Sequence, residues 1–591
     1  ANVSDIVAVS IIRADPDTAT MSETLAKEGG SATRHNTPKT NNENAFGQQR
    51  ATMSRNRILG MIRRSTFSSA MPVDLRAEGG QEFVTGEGTD HGIRPYHEIP
   101  GPTQIPLLGN SWRFAPIIGH YKIDELDEVM LDLRTKYGKV VKVGGLLGHP
   151  DLVFVFTPEG IETAFRKEEA LPHRPSMPSL KHYKGTLRKD FFGDNAGVIG
   201  VHGKPWDSFR AKVQQLLLQP STARSFVGPL NEIADDFLQR IDDSLDKNNE
   251  LPDQFLYEIY KWALESIGRV ALDTRLGCLS PDLPADSEAQ RIISAINTFF
   301  WNVSEVELRF PVWRVYKTKS YKKYIGALDE FKELCMRHIT ATVKRLEEGG
   351  VEAEKAGSLV ECILKQHSDP KMAAVLALDL FLVGVDTTSV SLASTIYQLS
   401  QNQEAQSRLR NELMEILPTP STPLTAKSLD KMPFLKACIK ETLRMYPVIL
   451  GNGRCLQSDA VIEGYHIPKG THVIFPHYVV SNDPEYVRSP ELFLPERWLK
   501  AADRTSEVTG GCPHASQAQR QKIHPFVSLP FGYGRRTCLG RRFAEAEMQI
   551  MLSKIFRKYK VNFEYGPLTY KVTPTYVPVE PLKFKLTQLE N

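Results

Sequence analysis

Disulfide frameworks, membrane spans and nucleic-acid stripes are all missing from this chain of 591 residues. Its 7 cysteines, Cys278, Cys335, Cys362, Cys438, Cys455, Cys512 and Cys538, are odd in number and lack paired spacing. That argues against a disulfide scaffold, points to a reducing compartment and leaves no Cys/His set with zinc spacing. No run reaches the roughly 18 uninterrupted apolar residues of a membrane span. The nearest, Ala373 to Val385, is broken by Asp379 and reads as a buried core helix. A net charge of +3 is too small to argue for nucleic acid, and no basic run is interleaved with aromatics. No internal repeat is found. Acidic residues are missing from one stretch in particular: between Asn44 and Val73 there is neither Asp nor Glu, while Arg50, Arg55, Arg57, Arg63 and Arg64 alternate with Ile58, Leu59, Met61, Ile62 and serines. An Arg-rich, Ser-rich, acid-free amphipathic stretch reads as a mitochondrial transit peptide, with a disordered basic tail as the alternative.

What the chain does have is material for a large core, 41% hydrophobic against 24% charged. Residues 1–90 are polar and aperiodic, which predicts a targeting and disordered segment, and 91–591 one large domain. Order is expected to begin near Ile99, Pro100, Gly101 and Pro102. Apolar spacing predicts helices at Ile123–Tyr137, Pro205–Leu217, Leu230–Leu245, Phe255–Leu272, Tyr321–Leu346, Met372–Leu399, Gln403–Leu417, Pro433–Tyr446 and Leu539–Tyr559. Short strands are predicted at Val140–Val143, Leu152–Phe156, Ala460–Ile462, His472–Phe475 and within the last thirty residues. The fold class is therefore mainly α with small β-sheets. The polar stretch Arg504 to Gln521 reads as a surface loop whose Cys512 and His514 face solvent.

One cysteine stands apart. In Phe531-Gly-Tyr-Gly-Arg-Arg-Thr-Cys538-Leu-Gly540 it sits in a Gly-rich turn leading straight into an amphipathic helix. Backbone N–H groups and the positive end of a helix dipole stabilise a thiolate there, and a thiolate is what binds metal. Gly534 and Gly540 leave room for a tight turn or the approach of a large flat group. A lone cysteine suits haem iron better than zinc, which needs several donors; a buried structural thiol is the bland alternative.

The pattern Phe-x-x-Gly-x-Arg-x-Cys-x-Gly resembles the haem-binding loop of the cytochromes P450. That resemblance, over residues 95 to 585, implies a single haem domain of P450 fold, haem b as cofactor and Cys538 as iron ligand, with Phe531, Arg536 and Gly540 in the cofactor loop. By the same resemblance Trp206, Arg210, Arg454 and Arg536 neutralise the haem propionates. Glu441 and Arg444, completed by Arg497 of Pro495-Glu-Arg-Trp498, form a structural triad; Glu288/Arg291 and Glu485/Arg488 share the spacing without the context. Gly384-Val-Asp386-Thr387-Thr388 resembles the family's oxygen-activation groove, Thr387 acting as donor to dioxygen and Asp386 relaying protons as the catalytic pair. Val383 stands where the family usually has Ala or Gly and narrows the groove.

Lys436 and Lys440, with Arg541, Arg542 and Glu545, resemble the mitochondrial class of animal P450s, with an insect or other arthropod member as the expectation. Two of these cations lie one helical turn apart, and the class uses them to receive an acidic [2Fe–2S] ferredoxin served by an NADPH-dependent reductase. The implied activity is hydroxylation of a lipophilic substrate, steroid-like, sterol-like or xenobiotic, with O2. Two alternatives stay open: a P450-type isomerase or dehydratase needing no external electrons, and a non-catalytic haem-thiolate ligand-binding protein. Apolar pocket residues are expected around Pro175 to Ile199, Phe299 to Val315, Leu380, Val383, Val448 to Leu450 and Thr575 to Val577. The implied place is the matrix side of the inner mitochondrial membrane, with Phe310, Trp313, Tyr316 and Lys317 as a peripheral membrane contact.

Overall fold

The computed structural model describes residues 92–589, other than 116, 175, 350–356, 420–421, 501–520, 574 and 580. The transit-like segment, Cys512 and His514 lie outside the described residues. Helices dominate. Phe255–Leu272 has the bounds expected from its spacing, and Pro370–Gln401, Pro433–Met445 and Arg541–Lys558 fall within two residues of theirs. Their apolar faces meet in one large cluster that includes Trp262, Phe381, Leu435 and Met551. The helix Glu288–Val303 carries Ile, Thr, Phe and Trp, which weaken helix propensity; its Ser287 cap accepts the Gln290 N–H at 3.3 Å, and burial of one face holds it.

A second, smaller cluster surrounds a four-stranded sheet ordered Val140–Val143, Leu152–Val155, His472–Phe475, Asn452–Cys455. The middle pair is parallel, with Leu152 opposite His472, and the outer pairs are antiparallel. Asn452–Cys455 has poor strand propensity, and pairing to His472–Phe475 decides its conformation. Among the described residues three two-stranded ribbons complete the sheets, two of them within the last forty.

The central helix Pro370–Gln401 starts at Asp369, whose side chain accepts from Met372 N–H at 3.0 Å, with Pro at its first position. It has 32 residues and is long and apolar enough to cross a membrane, but 78% of its most apolar window is buried inside the protein. It is the spine of the core. Gly384 in its middle lets the helix Phe255–Leu272 come close: a Cβ there would lie 2.8 Å from Ile267 Cδ1. That close packing, in addition to any groove, explains a glycine where alanine would be about 1 kcal/mol better for the helix itself.

Candidate functional site

The Cys538 turn is closed by its own backbone. Cys538 N–H donates to the Phe531 carbonyl at 2.9 Å, and Thr537 N–H donates to the Gly534 carbonyl at 3.1 Å. Gly532 and Gly534 have φ of 70° and 72°, the left-handed region, and a Cβ on Gly534 would sit 2.8 Å from Glu168 Oε2. Gly540 is different: it caps the helix Arg541–Lys558 with φ of −81° and faces open space. Cys538 has accessible surface although protein surrounds it, which is the condition of a residue left open to a bound group. Burial pushes its thiol up, and the N–H groups of Gly540 and Arg541 with the charges of Arg210 and Arg174 pull it back only in part. The N–H groups thus lean toward a thiolate, as the helix start leads one to expect, and a bound cation would favour it further. Among the described residues no group of three His, Cys, Asp or Glu side chains can hold a metal ion by itself.

Four arginines cluster here, two of them, Arg210 and Arg174, near enough to act on the sulfur. Arg210, nearly fully buried, donates from Nη2 to the Thr537 carbonyl at 2.8 Å, while its Nε has no partner. Arg536 lies 3.6 Å over the Trp206 ring and donates to the carbonyls of Pro172 and Val201, each at 3.1 Å. Arg454 is paired with Glu168 and also donates to the Gly453 carbonyl at 2.9 Å. That ion pair modifies the expectation for Arg454, whose charge is already half answered. Arg174, absent from the sequence reading, completes the set; like Cys538 it has accessible surface yet is enclosed by protein.

Burial, then the mutual repulsion of Arg174, Arg454 and Arg210, holds Arg536 down to about 9; burial holds Arg210 down to about 10. A guanidinium does not give up its proton at neutral pH. Four such charges against the single carboxylate Glu168 call for an anion, and a dicarboxylate beside a cysteine fits. Haem b, with two propionates and an iron, matches this donor set and this excess of charge.

On the central helix the cavity side is marked by accessibility. Leu380, Val383, Gly384 and Thr387 are partly accessible while most neighbouring positions are buried, and the i, i+3, i+4, i+7 spacing makes them one stripe. Val383 does project on this face. Thr387 Oγ1 donates to the Val383 carbonyl at 2.7 Å. Asp386 is turned about a quarter of the helix away. It is buried and accepts from Tyr260 OH at 3.0 Å through Oδ1, with the Thr575 hydroxyl also directed at the carboxyl. Burial raises its carboxyl, opposed by Thr575 and Tyr260. The adjacent pair thus faces two directions.

The structure brings Glu441, Arg444 and Arg497 together with all three side chains wholly buried. Arg444 grips Glu441 with two bonds of 2.9 and 3.0 Å, Arg497 adds one of 3.1 Å, and Trp498 Nε1 donates at 2.9 Å. The guanidinium groups spend their other donors on carbonyls of Ser481, Pro490, Arg488 and Ser489. Glu288/Arg291 and Glu485/Arg488 form no such pair: Arg291 binds Glu330, and Glu485 binds Arg134 and Lys139.

Lys440 is exposed, Lys436 is half-buried and donates to the Asp430 carbonyl at 3.0 Å, and burial lowers its pKa against the pull of Asp430, Glu412 and Glu545. Glu545 also pairs with Arg541 at 2.9 Å and lies 3.9 Å from Arg542, which gathers these cations on one face. The aromatic cluster is split. Trp313 donates to the Val306 carbonyl at 3.1 Å and stacks on Tyr321 with centroids 5.3 Å apart, so it is an anchor rather than a membrane-facing ring. Phe310, Val315 and Tyr316 remain exposed, and a neighbouring turn holds out Leu107.

Comparison with known proteins gives the family of the fold. The family model described as Cytochrome P450 matches residues 99–587. The chain is 59% identical over 499 residues to "Probable cytochrome P450 49a1" of Drosophila melanogaster, covering 84% of this chain and 83% of that protein. It is 48% identical to "Probable cytochrome P450 301a1, mitochondrial" of the same fly, covering 84% and 87%. The crystal structure of the cytochrome P450DA heme domain superposes with a TM-score of 0.65 at 19% identity, over 84% of this chain and 99% of that one.

Proposed function

Because the chain belongs to the cytochrome P450 family, we propose that it is a mitochondrial haem-thiolate monooxygenase that hydroxylates a lipophilic substrate. The observation that carries the reading is the accessible Cys538 with four clustered arginines that have one carboxylate among them. Haem b, when bound, supplies the oxygen chemistry. The protein's own part is to hold and to time. Cys538 would hold the haem iron, its sulfur supported by the N–H groups of Gly540 and Arg541. Arg174, Arg210, Arg454 and Arg536, with Trp206, answer the propionates. The apolar stripe Leu380, Val383, Gly384 keeps water from the substrate, Thr387 stands on that stripe as the hydroxyl at the reacting face, and Asp386 keeps a proton available because burial raises its carboxyl. The Glu441, Arg444, Arg497 lock fixes the cysteine side.

Electrons come from NADPH through a ferredoxin reductase and an acidic [2Fe–2S] ferredoxin that docks on Lys436, Lys440, Arg541 and Arg542. The word mitochondrial in the name of one relative and the Arg-rich segment support that placement. A steroid-like, sterol-like or xenobiotic substrate fits the apolar lining. Leu107, Phe310, Val315 and Tyr316 are the side chains for a peripheral contact with the matrix face of the inner membrane. The test is product formation from a sterol and xenobiotic panel. It should require NADPH, reductase and ferredoxin together; turnover without them makes the protein an isomerase or dehydratase, and Soret shifts without any turnover make it a ligand carrier. Lys436→Glu with Lys440→Glu should raise the apparent ferredoxin constant at least tenfold, with an unchanged haem spectrum. An unchanged constant removes the docking assignment.

A further inference from the structure

The strongest unexplained feature is an ion pair in the core, one residue from the cavity stripe. Lys184 and Asp379 are both 4% exposed and meet at 2.7 Å. Lys184 belongs to the π-helical turn Tyr183–Leu187, a rare geometry that often marks functional positions. All three of its ammonium donors are used: one goes to Asp379 Oδ1, one to the Ala196 carbonyl at 3.0 Å and one to the Ile199 carbonyl at 3.2 Å. Asp379 Oδ2 accepts the N–H groups of Val198 and Ile199 at 2.7 and 3.3 Å. Between them Gly197 has φ of 81°, and a Cβ there would lie 2.2 Å from Asp379 Oδ2. The chain at 196–199 is thus wrapped around a charge pair from both sides and pressed onto the central helix.

A buried ion pair contributes little net stability over an apolar pair of the same size, whereas removing one partner is costly. Its value here is positional. Ala196, Val198 and Ile199 are partly accessible apolar residues packed on the main core, and Leu380, the first residue of the cavity stripe, directly follows Asp379. We propose that Lys184 and Asp379 are positioning residues that fix the 196–199 wall of the substrate cavity and so set the size of ligand it admits. The inference rests on the reading above that the stripe faces the substrate. It also has a charge consequence: Lys184 cancels the Asp379 carboxylate, so the 196–199 wall offers an incoming ligand no net charge, in keeping with an uncharged lipophile.

Hydrogen exchange on the unmodified protein tests the clamp without reference to haem. The Val198 and Ile199 amides should be protected at least a hundredfold over exposed loop amides; exchange at the loop rate would show that the wall is not held and would end the proposal. The size claim is read with two haem ligands, imidazole and the bulkier 4-phenylimidazole. Lys184→Met and Asp379→Asn should each change the ratio of the two dissociation constants at least fivefold, with imidazole affinity and the carbon monoxide spectrum unchanged. The double variant, which leaves no lone buried charge, should be better folded than either single one and still show the altered ratio. An unaltered ratio in the folded double variant overturns the proposal even if the single variants fail to fold. Loss of the carbon monoxide spectrum in the unmodified protein would instead count against the haem-thiolate reading.

Discussion

Two buried polar regions, both rich in arginine, are built on opposite principles. Around Glu441 every strong donor finds an acceptor inside the protein, and two guanidinium groups, one carboxylate and an indole close on themselves. Around Cys538 four guanidinium groups share one carboxylate, and a buried Nε on Arg210 goes unanswered. The first is a finished structural element, the second half of a complex. The difference teaches that a cofactor site is recognised by what its charges lack, while residue type and burial are shared with ordinary scaffolding.

The sharpest way to break that contrast is Cys538→Ala. Carbon monoxide added to the reduced protein should give the red-shifted Soret band of thiolate ligation, and the variant should lose it entirely; a band of normal shape in the variant would remove Cys538 from the site. Next in size is Glu441→Ala, which strands Arg444 and Arg497 without a counter-charge. Stability should fall by about 3–5 kcal/mol, read by urea unfolding, and a loss under about 1 kcal/mol would show that the lock is replaceable.

Glu307 offers an intermediate case. It is buried, accepts from Ser179 N–H at 3.0 Å and from the Ser179 hydroxyl, and leaves Oε2 without a partner. Burial raises its carboxyl to about 7, against the pull of Ser179, Leu180 and Arg314. The folded protein therefore holds this proton more tightly than the unfolded chain. Its contribution is present at low pH and is lost as pH rises from about 4.5 through 7. Between pH 5 and 8 the protein should lose on the order of 2–3 kcal/mol from this group, and Glu307→Gln should flatten that part of the profile; parallel profiles would count against the assignment.

The smallest expected effect is the most diagnostic. Arg174→Gln with Arg210→Leu relieves repulsion, so the haem-free protein should be no less stable than the parent. The loaded protein should release haem to an acceptor globin at least tenfold faster. If the haem-free protein is destabilised instead, the cluster is scaffolding like the Glu441 lock.

Legibility in sequence followed the range of the interactions. Cys538 was readable because the glycines that shape its turn are its neighbours in sequence, and Phe255–Leu272 because its apolar period is local. Glu441 needed context, since the same spacing at Glu288 and Glu485 yields pairs to other residues. Arg174 carried no signal: only the path of the chain from Pro172 to His202 brings it to Arg536 and Arg454. The strand Asn452–Cys455 exists through its neighbour, which no local pattern announces. Asp386 and Thr387 are adjacent in sequence, yet 100° of helical rotation sends one to Tyr260 and the other to the cavity.

The Thr387 hydroxyl has a single hydrogen, and at rest it is committed to the Val383 carbonyl. What the cavity meets is therefore a pair of lone pairs. The first molecule to bind there must itself bring a donor, as water or an alcohol does, and a purely accepting guest is received only after the side chain rotates and Val383 gives up its partner. That one bond makes this hydroxyl an acceptor at rest and a donor on rotation.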